Sequence, residues 1–539
     1  MTAARTYIQV LLPVRLRWIP TYSSPVPLEP GRRVCVELGA HRYDGVVWQV
    51  LARPDLPPER IQDIVAVQDE LPAVTAAELR FWEFLAGYYL CTLGEVYKAA
   101  YPLLKQRSEQ TAADILARLR ERLAKKEAQL AGRHSERVLA RLSSERDALA
   151  KEIEGYGIPE QARNDRTCLS ERSEESGKPQ VLTAATRRED YLPALREALS
   201  AGRQVLVLTP EIAFCDRLEA LFAPEFGSLL QLFHSGRTPV QRRAAAERLR
   251  RGAPTLILGT RSALFLPFRS LGLVVVDEEQ DPAYKQADPA PRYHGRDAAI
   301  ALAGIHGARV LLGAAVPSLE TLLNVKLGKY ALAGTPSPFA GPSGESPAEV
   351  IDLAAERRKN GLVGTFSRKL IEAVRQTDAP VLLIRGWEKP EPLQEEIAAL
   401  FPGRDIRVST LNSLKREGAP DVALLAVLQA DALVSRDDFR ADERAAQLLG
   451  TLAQFAPRVI VQTAVPARFD GSRGPDELLE ERRQFGFPPY TRLVEVRRQG
   501  SGEVLARHFL SRDRELAARK AALLDTLARG TYPDVDPID

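Results

Sequence analysis

The chain has 539 residues, of which 45% are hydrophobic and 27% charged, and its formal net charge is +3. These values exclude a disordered chain and a collagen-like chain, and they allow three to five domains at roughly 100–200 residues each. The four cysteines lie far apart with no Cys-x-x-Cys pair, so neither a zinc site nor a disulfide framework is predicted.

The composition also bears on location and on partners. No stretch approaches the roughly 18 to 20 apolar residues of a membrane-spanning helix, and the apolar stretch 8–12 is too short for a signal peptide. Few cysteines and no targeting segment predict a cytoplasmic protein with no membrane partner. Because the net charge is small, any basic surface for nucleic acid must be local.

The first third of the chain predicts three segments. Residues 1–104 combine strand-like patches with a helical pattern over 76–89, which predicts a small β-rich domain closed by a helix. Residues 105–157 carry leucines at heptad spacing and predict an antiparallel helical hairpin, most simply a structural spacer. Residues 158–179 are polar and predict a linker.

The rest of the chain has an α/β pattern. In residues 180–335 and 349–480, short apolar runs alternate with helical stretches, as buried parallel strands and their covering helices do. The stretch 336–348 is rich in Pro, Gly and Ser and predicts a second linker. We therefore expect two doubly wound α/β lobes, followed by a short C-terminal domain at 481–539.

One strand end carries the strongest chemical signal. The apolar run LGLVVV (271–276) leads directly into Asp277 and Glu278. In phosphoryl-transfer lobes, an acidic residue at this position holds Mg²⁺ and a second carboxylate orients the attacking water. Acidic turns after core strands are also common surface features. Asp277 and Glu278 are therefore candidate catalytic residues, but this motif alone does not establish a function.

Flanking segments make the motif specific. The chain has TPEI at 209–212, GTRSALFLPF at 259–268, DEEQDPAYKQ at 277–286 and GAAVPSLE at 313–320. In this order and spacing they resemble the first motor lobe of the bacterial replication-restart helicases of the PriA (primosomal protein N′) family. The segments 85–102, 428–449 and 482–496 extend the resemblance towards both ends of the chain.

The resemblance implies a fold, an activity and partners. The fold would be two doubly wound helicase (RecA-like) lobes, preceded by a small β-rich DNA-binding domain and, here, by the helical hairpin in place of a winged helix. The family's activity is ATP-dependent 3′-to-5′ DNA unwinding with Mg²⁺. The expected partners are forked or single-stranded DNA, primosome proteins and single-stranded DNA-binding protein.

Individual site residues follow from the same resemblance. It assigns the coupling of nucleotide to DNA to seven residues: Pro210, Glu211, Thr260, Arg261, Gln280, Gly313 and Lys415. In the N-terminal domain, the residues that match or are available for DNA contact are Arg15, Arg17, Tyr22, Arg33 and Gly39. For any single arginine, a solvated surface position is the simpler interpretation.

Several motor residues of the family are missing. The phosphate-binding Gly-Lys-Thr is absent, and Arg187 and Arg188 stand at the positions of its Lys and Thr. Arginine is bulkier and geometrically fixed, and loss of the glycines removes the backbone freedom needed to wrap phosphates. Of the arginines expected at the γ-phosphate only Arg458 remains, with Phe455 at the first position. The cysteine-rich zinc insertion is gone, so no metal site and no zinc are expected.

Three functions remain open. The sequence favours a PriA-like primosomal protein that binds branched DNA in replication restart with an impaired motor. The alternatives are an active ATP-dependent 3′-to-5′ DNA helicase and an eroded, inactive paralogue. Pro20 and Thr21 stand where the family has a Phe-Asp pair that holds a DNA 3′ end, which puts recognition of that end in question.

Overall fold

The computed structural model describes residues 5–54, 56–104, 178–182, 188–333, 348–386, 388–417, 421–434 and 439–537. The hairpin predicted at 105–157 lies outside this part, as do nearly all of the two predicted linkers and residues 183–187. Within the described part, no helix is both long enough and apolar enough to cross a membrane.

The N-terminal domain is a five-stranded antiparallel sheet with two helices. The strands, in the spatial order β2-β1-β4-β3-β5, are β1 Thr6–Leu11, β2 Thr21–Ser24, β3 Arg33–Leu38, β4 His41–Leu51 and β5 Ala66–Val67. Helix α1 (Ala76–Tyr89) begins at a capping box between Thr75 and Glu78, and α2 (Leu93–Leu104) follows. Phe81 of α1 packs against Phe265 of the next domain, so the two domains share a core.

The first lobe is built on seven parallel strands. In spatial order β12-β6-β11-β10-β7-β9-β8, they are β6 Gln180–Leu182, β7 Gln204–Leu208, β8 Leu230–Phe233, β9 Thr255–Gly259, β10 Leu271–Val276, β11 Arg309–Gly313 and β12 Ala331–Ala333. The helices are α3 Leu192–Ser200, α4 Ile212–Phe226, α5 Pro239–Arg250, α6 Gly295–His306 and α7 Leu319–Lys326. Separate apolar clusters lie on the two faces of the sheet, as in a doubly wound fold.

The second lobe has a smaller parallel sheet. In spatial order β13-β19-β18-β16-β17, its strands are β13 Glu349–Asp352, β16 Val381–Ile384, β17 Ile406–Ser409, β18 Leu424–Val427 and β19 Arg458–Thr463, and a hairpin pairs β14 Leu362–Val363 with β15 Phe366–Ser367. The helices are α8 Leu353–Lys359, α9 Arg368–Gln376, α10 Pro390–Leu400, α11 Leu411–Glu417, α12 Ala430–Val434 and α13 Ala441–Leu452. Apolar clusters again cover both faces, so the predicted pair of doubly wound lobes is confirmed.

The C-terminal part folds back onto the start of the chain. Helix α14 (Pro475–Gln484) leads into an antiparallel sheet in the order β21-β20-β22, with β20 Thr491–Arg498, β21 Val504–Ser511 and β22 Thr531–Val535, and α15 (Leu516–Thr526) packs beside it. The Lys285 ammonium of lobe 1 donates to the Val535 carbonyl at 2.6 Å, and Lys520 donates to the Tyr88 carbonyl. These contacts support a domain that would be marginal on its own.

Candidate functional site

The carboxyl end of β10 is held by two tyrosines. Asp277 follows the strand and is 3% exposed, and the Tyr191 hydroxyl donates to its Oδ1 at 2.9 Å. The Tyr284 hydroxyl donates to the carbonyls of Leu208 and Asp277, at 2.9 and 2.6 Å. Burial raises the pKa of Tyr284 well above its ordinary value, so this hydroxyl remains a donor. Tyrosine hydroxyls therefore hydrogen-bond to the carboxyl ends of β7 and β10, at the side of the sheet where α/β proteins bind ligands.

The next acidic residue adopts an unusual conformation. Glu278 has a φ of 52°, in the left-handed region that residues with a side chain rarely occupy. The Gln280 side-chain amide donates to its carboxylate at 2.8 Å. Strained backbone of this kind costs on the order of 1–3 kcal/mol and clusters at functional sites. The two predicted residues Glu278 and Gln280 are thus brought together in one tight turn.

A buried ion pair connects this turn to helix α6, and a hydrogen bond connects it to Ser318 at the start of α7. Glu279 is 0% exposed, and it accepts from Arg296 Nη1 at 2.8 Å and from the Ser318 backbone N–H at 2.7 Å. Burial alone would lower the pKa of Arg296, but Asp297, Glu279 and Glu320 hold it well above its ordinary value. The two segments that resemble motor motifs, 277–286 and 313–320, are therefore linked through charged hydrogen bonds.

Lys415 joins the two lobes. Its ammonium lies 2.8 Å from the Asp281 carboxylate, and the two side chains are only 20% and 7% exposed. Burial would lower the pKa of Lys415, but Asp281, with Glu278 and Glu211, raises it above its ordinary value. Arg217 of lobe 1 also donates to the Lys415 carbonyl at 3.1 Å. The coupling residue predicted in lobe 2 thus contacts the acidic edge of lobe 1.

A second contact between the lobes centres on Glu443. Its Oε1 accepts the Leu319 N–H of lobe 1 at 2.8 Å, and its Oε2 accepts from Arg482 at 2.6 Å. Close by, Val316 lies against Gly450, where an added Cβ would come within 2.4 Å of the valine methyl. An apolar cluster surrounds these residues. The lobes therefore meet through both charged and apolar contacts.

Three predicted coupling residues, Thr260, Arg261 and Gly313, lie near this edge in lobe 1. Thr260 precedes a short 3-10 turn, and Arg261 donates to the Lys285 carbonyl at 2.5 Å. Gly313 ends β11, where a Cβ would lie 1.8 Å from the Tyr191 hydroxyl. Only glycine fits there while the tyrosine keeps its place.

The remaining coupling and nucleotide candidates are spread out. Pro210 and Glu211 lie at the carboxyl end of β7, beside β10, with Glu211 preceding α4. Arg187 and the side chain of Arg188 lie outside the described residues. Arg458 stands at the amino end of β19 and pairs with Glu349 at 2.9 Å, with both side chains about half exposed. Arg458 therefore lies at the amino ends of the lobe 2 strands, whereas ligands of such sheets usually bind at the carboxyl ends.

A pocket of about 920 Å³ lies mainly in the N-terminal domain, with Leu524, Asp525, Leu527 and Pro533 of the C-terminal part completing its lining. Thr21 lies in its wall, and the Thr21 hydroxyl is buried with no hydrogen-bond partner among the described residues. Trp18 is 57% exposed at the same pocket, which Arg15 and Arg17 also line. Arg15 pairs with Glu95 at 3.4 Å. The pocket thus combines an exposed aromatic ring, two arginines and an unsatisfied hydroxyl.

The other predicted N-terminal residues lie elsewhere. Tyr22 is 3% exposed, its hydroxyl donates to the Glu37 carbonyl at 2.8 Å, and burial raises its pKa to about 12. Arg33 is 1% exposed, with its guanidinium 5.8 Å from the Tyr97 ring centre. Gly39 forms the turn between β3 and β4 with a φ of 63°. Arg33 is therefore buried in this arrangement, and DNA contact by Tyr22, Arg33 and Gly39 stays a prediction.

Three residues that shape the site were not among the predicted ones. Tyr191 lies four residues beyond Arg187, and its signal was an aromatic residue in the segment that should bind phosphate. Asp281 belongs to the same acidic run as Asp277. Glu443 gave no local signal, because Leu319 and Arg482, the partners that matter at the site, are more than 35 residues away in the sequence.

Comparison with known proteins agrees with the motifs. Residues 9–102 match the family model of the PriA 3'DNA-binding domain (3'BD). The Replication restart protein PriA of Haemophilus influenzae is 27% identical over 661 aligned positions, covering 94% of this chain and 89% of the relative. That of Rickettsia felis is 24% identical, covering 92% and 87%. That of Chlamydia pneumoniae is 36% identical, over 36% of this chain and 26% of the relative.

The first alignment is longer than this chain of 539 residues, so the relative carries segments that this chain lacks. Among solved structures, RecG bound to a three-way DNA junction gives a TM-score of 0.34 at 17% identity, over 66% of this chain and 48% of that one. The E. coli DExH-box NTPase HrpB gives 0.37 at 13%, over 66% and 47%. Such TM-scores add nothing to the fold described above. The domain match and the similarity along nearly the whole chain identify a PriA-like protein.

Proposed function

We propose that this PriA-like chain binds forked or single-stranded DNA in replication restart and that its motor lobes turn over little or no ATP. The observation that carries the proposal is the engagement of the acidic edge of lobe 1. Asp277 already accepts a tyrosine hydroxyl, and Asp281 is already paired with Lys415. A motor needs carboxylates at this edge for Mg²⁺ and for the attacking water.

ATP and Mg²⁺ are the cofactors that the family resemblance implies. The described residues do not fit them well, because Tyr191 lies against both Asp277 and the space beside Gly313. Phe455, at the position of an expected arginine, lies 6.0 Å from the Arg217 guanidinium and can supply no charge to a phosphate. Among the described residues there is also no group of three or more His, Cys, Asp or Glu placed to hold a metal ion.

The lobes would then serve as a support for the DNA-binding domain. In a working motor, nucleotide draws the lobes together, whereas here Lys415 and Glu443 join them directly. The N-terminal domain shares a core with lobe 1. DNA held at the pocket beside Trp18 would thus be attached to a fixed body. Primosome proteins and single-stranded DNA-binding protein are the protein partners that we propose for this body.

The proposal predicts that forked DNA does not stimulate ATP turnover. Phosphate release by the purified chain should be the same with and without a fork, and the same in Glu278→Ala, because the carboxylates of this edge are engaged by protein groups. Circular dichroism would establish that the variant is folded. Turnover that rises with the fork and disappears in Glu278→Ala would show an active motor and overturn this part of the proposal.

DNA binding is expected to depend on Trp18. Its ring is 57% exposed at the pocket, and stacking of a base on an aromatic ring contributes about 1–3 kcal/mol. Trp18→Ala should therefore weaken fork binding by about 5- to 150-fold in a fluorescence anisotropy titration.

Phe485→Ala is the matched control, because this ring is 67% exposed but belongs to the C-terminal part. It should leave the affinity for the fork unchanged. If the unmodified chain shows no preference for a fork over duplex DNA at moderate salt, the proposed binding of branched DNA is wrong.

A further inference from the structure

A second cleft lies where three parts of the molecule meet. It has a volume of about 800 Å³ and is formed by the N-terminal domain, lobe 1 and the C-terminal sheet. Its walls are residues 13–15, Glu95 and Lys98 of the N-terminal domain, residues 287–290 and Arg292 of lobe 1, and Arg497, residues 499–502, Tyr532 and Asp534 of the C-terminal part. Since no single domain forms it, the cleft exists only when the three parts are assembled.

The charges that line the cleft leave one cation available. Three arginines are paired with three carboxylates in the pairs Arg15–Glu95 at 3.4 Å, Arg292–Asp288 at 2.9 Å and Arg497–Asp534 at 3.8 Å. The fourth cation, Lys98, is exposed and forms no ion pair with any residue of the described part. The arrangement therefore favours an anionic ligand that passes beside Lys98.

Another wall of the cleft is formed by a backbone turn of the C-terminal sheet. The turn between β20 and β21 contains Gly500 and Gly502, with φ values of 91° and 71°, so its backbone can be approached closely. Beside it, the Arg292 guanidinium lies 3.7 Å from the centre of the Tyr532 ring. The Arg292 Nε is buried without a partner among the described residues. Arginine planes and aromatic rings are the surfaces on which unpaired bases stack.

The cleft also adjoins the first pocket. Val14, Arg15 and Glu95 line both of them. An elongated ligand that leaves the pocket beside Trp18 would therefore enter the cleft next to Lys98. A volume of about 800 Å³ is too small to enclose a duplex, whose major groove alone is about 12 Å wide. A few nucleotides of a single strand are the anionic, base-bearing ligand that fits both the size and the chemistry.

We propose that this cleft binds single-stranded DNA that continues from the N-terminal pocket. A phosphate would lie at Lys98, and bases would lie along the turn 499–502 towards Arg292 and Tyr532. The proposal rests on the proposed DNA-binding function and extends it to a second site, made jointly by three domains.

The test uses the full chain and single-stranded oligonucleotides of increasing length, with binding measured by fluorescence anisotropy at several salt concentrations. For oligonucleotides long enough to reach the cleft, Lys98→Met should make the negative slope of log K against log salt shallower by about 0.7, the value for one phosphate contact on a single strand. For the shortest oligonucleotides that bind, the variant should behave like the unmodified chain. Ser501→Trp fills the cleft without changing its charge, and it should weaken the binding of the longer oligonucleotides only.

Lys359→Met is the matched control, because Lys359 is exposed on α8 of lobe 2, away from the cleft. If no oligonucleotide binds the unmodified chain, the proposed function itself fails. If oligonucleotides bind but Lys98→Met matches Lys359→Met at every length, only the cleft proposal fails. An equal effect of Lys98→Met on blunt duplex DNA would also overturn it, because the site would then not be specific for single strands.

Discussion

Replacing Arg296 by methionine is expected to lower the free energy of unfolding of lobe 1 by about 3–5 kcal/mol, the range for breaking a buried ion pair by removing one partner. Glu279 is 0% exposed and would lose the guanidinium that pairs with it. The Ser318 hydroxyl would also lose the guanidinium that donates to it at 2.7 Å. Urea denaturation followed by intrinsic fluorescence measures the loss as a lower midpoint.

Arg483→Met is the control for this prediction. Arg483 makes a similar 2.8 Å pair with Glu480, but the two side chains are 63% and 45% exposed, and exposed pairs contribute about 0–1 kcal/mol. The midpoint of this control should hardly move. A shift of similar size in both variants would mean that burial of the Glu279–Arg296 pair is not what makes it important.

Replacing Glu443 by alanine is expected to have the second large effect, again about 3–5 kcal/mol. The change removes the carboxylate that pairs with the Arg482 guanidinium, and both side chains are at most 5% exposed. It also leaves the Leu319 N–H of lobe 1 without its acceptor. Because Glu443 touches both lobes, we expect the two lobes of the variant to unfold in separate transitions.

Differential scanning calorimetry checks this second prediction. The unmodified chain should show joint unfolding of the lobes, and the variant should show an earlier, separate transition. Glu395→Ala is the matched control, because Glu395 is exposed on α10 and its loss should change stability by no more than about 0.5 kcal/mol. Joint unfolding of the lobes in Glu443→Ala would mean that the other contacts are sufficient to couple them.

The sequence predicted the lobes and the acidic strand end for a physical reason. A run of six apolar residues, LGLVVV, is typical of a strand in a covered parallel sheet, and the polar residue that follows is expected at the end of that strand. That places Asp277 and Glu278 without any structure. The family resemblance added Gln280, Gly313 and Lys415, which lie at or near this edge.

Contacts between distant segments could not be predicted in this way. Lys415 and Asp281 are 134 residues apart, and nothing in either local pattern indicates that they meet. Arg33 is a second case, since an arginine near the start of a strand is usually expected at the surface, whereas it is buried here. Arg458 is a third, because an aligned arginine does not reveal that its strand begins there.

The buried contacts between the lobes also determine how the molecule should respond to ionic strength. Salt screens exposed charges far more than buried ones. Binding to DNA weakens steeply as salt rises, because the release of counterions from the phosphates then contributes less free energy. The Lys415–Asp281 pair is largely shielded from solvent. Rising salt should therefore release DNA while the lobes stay joined, so the chain would leave a fork as one intact body, ready to bind the next.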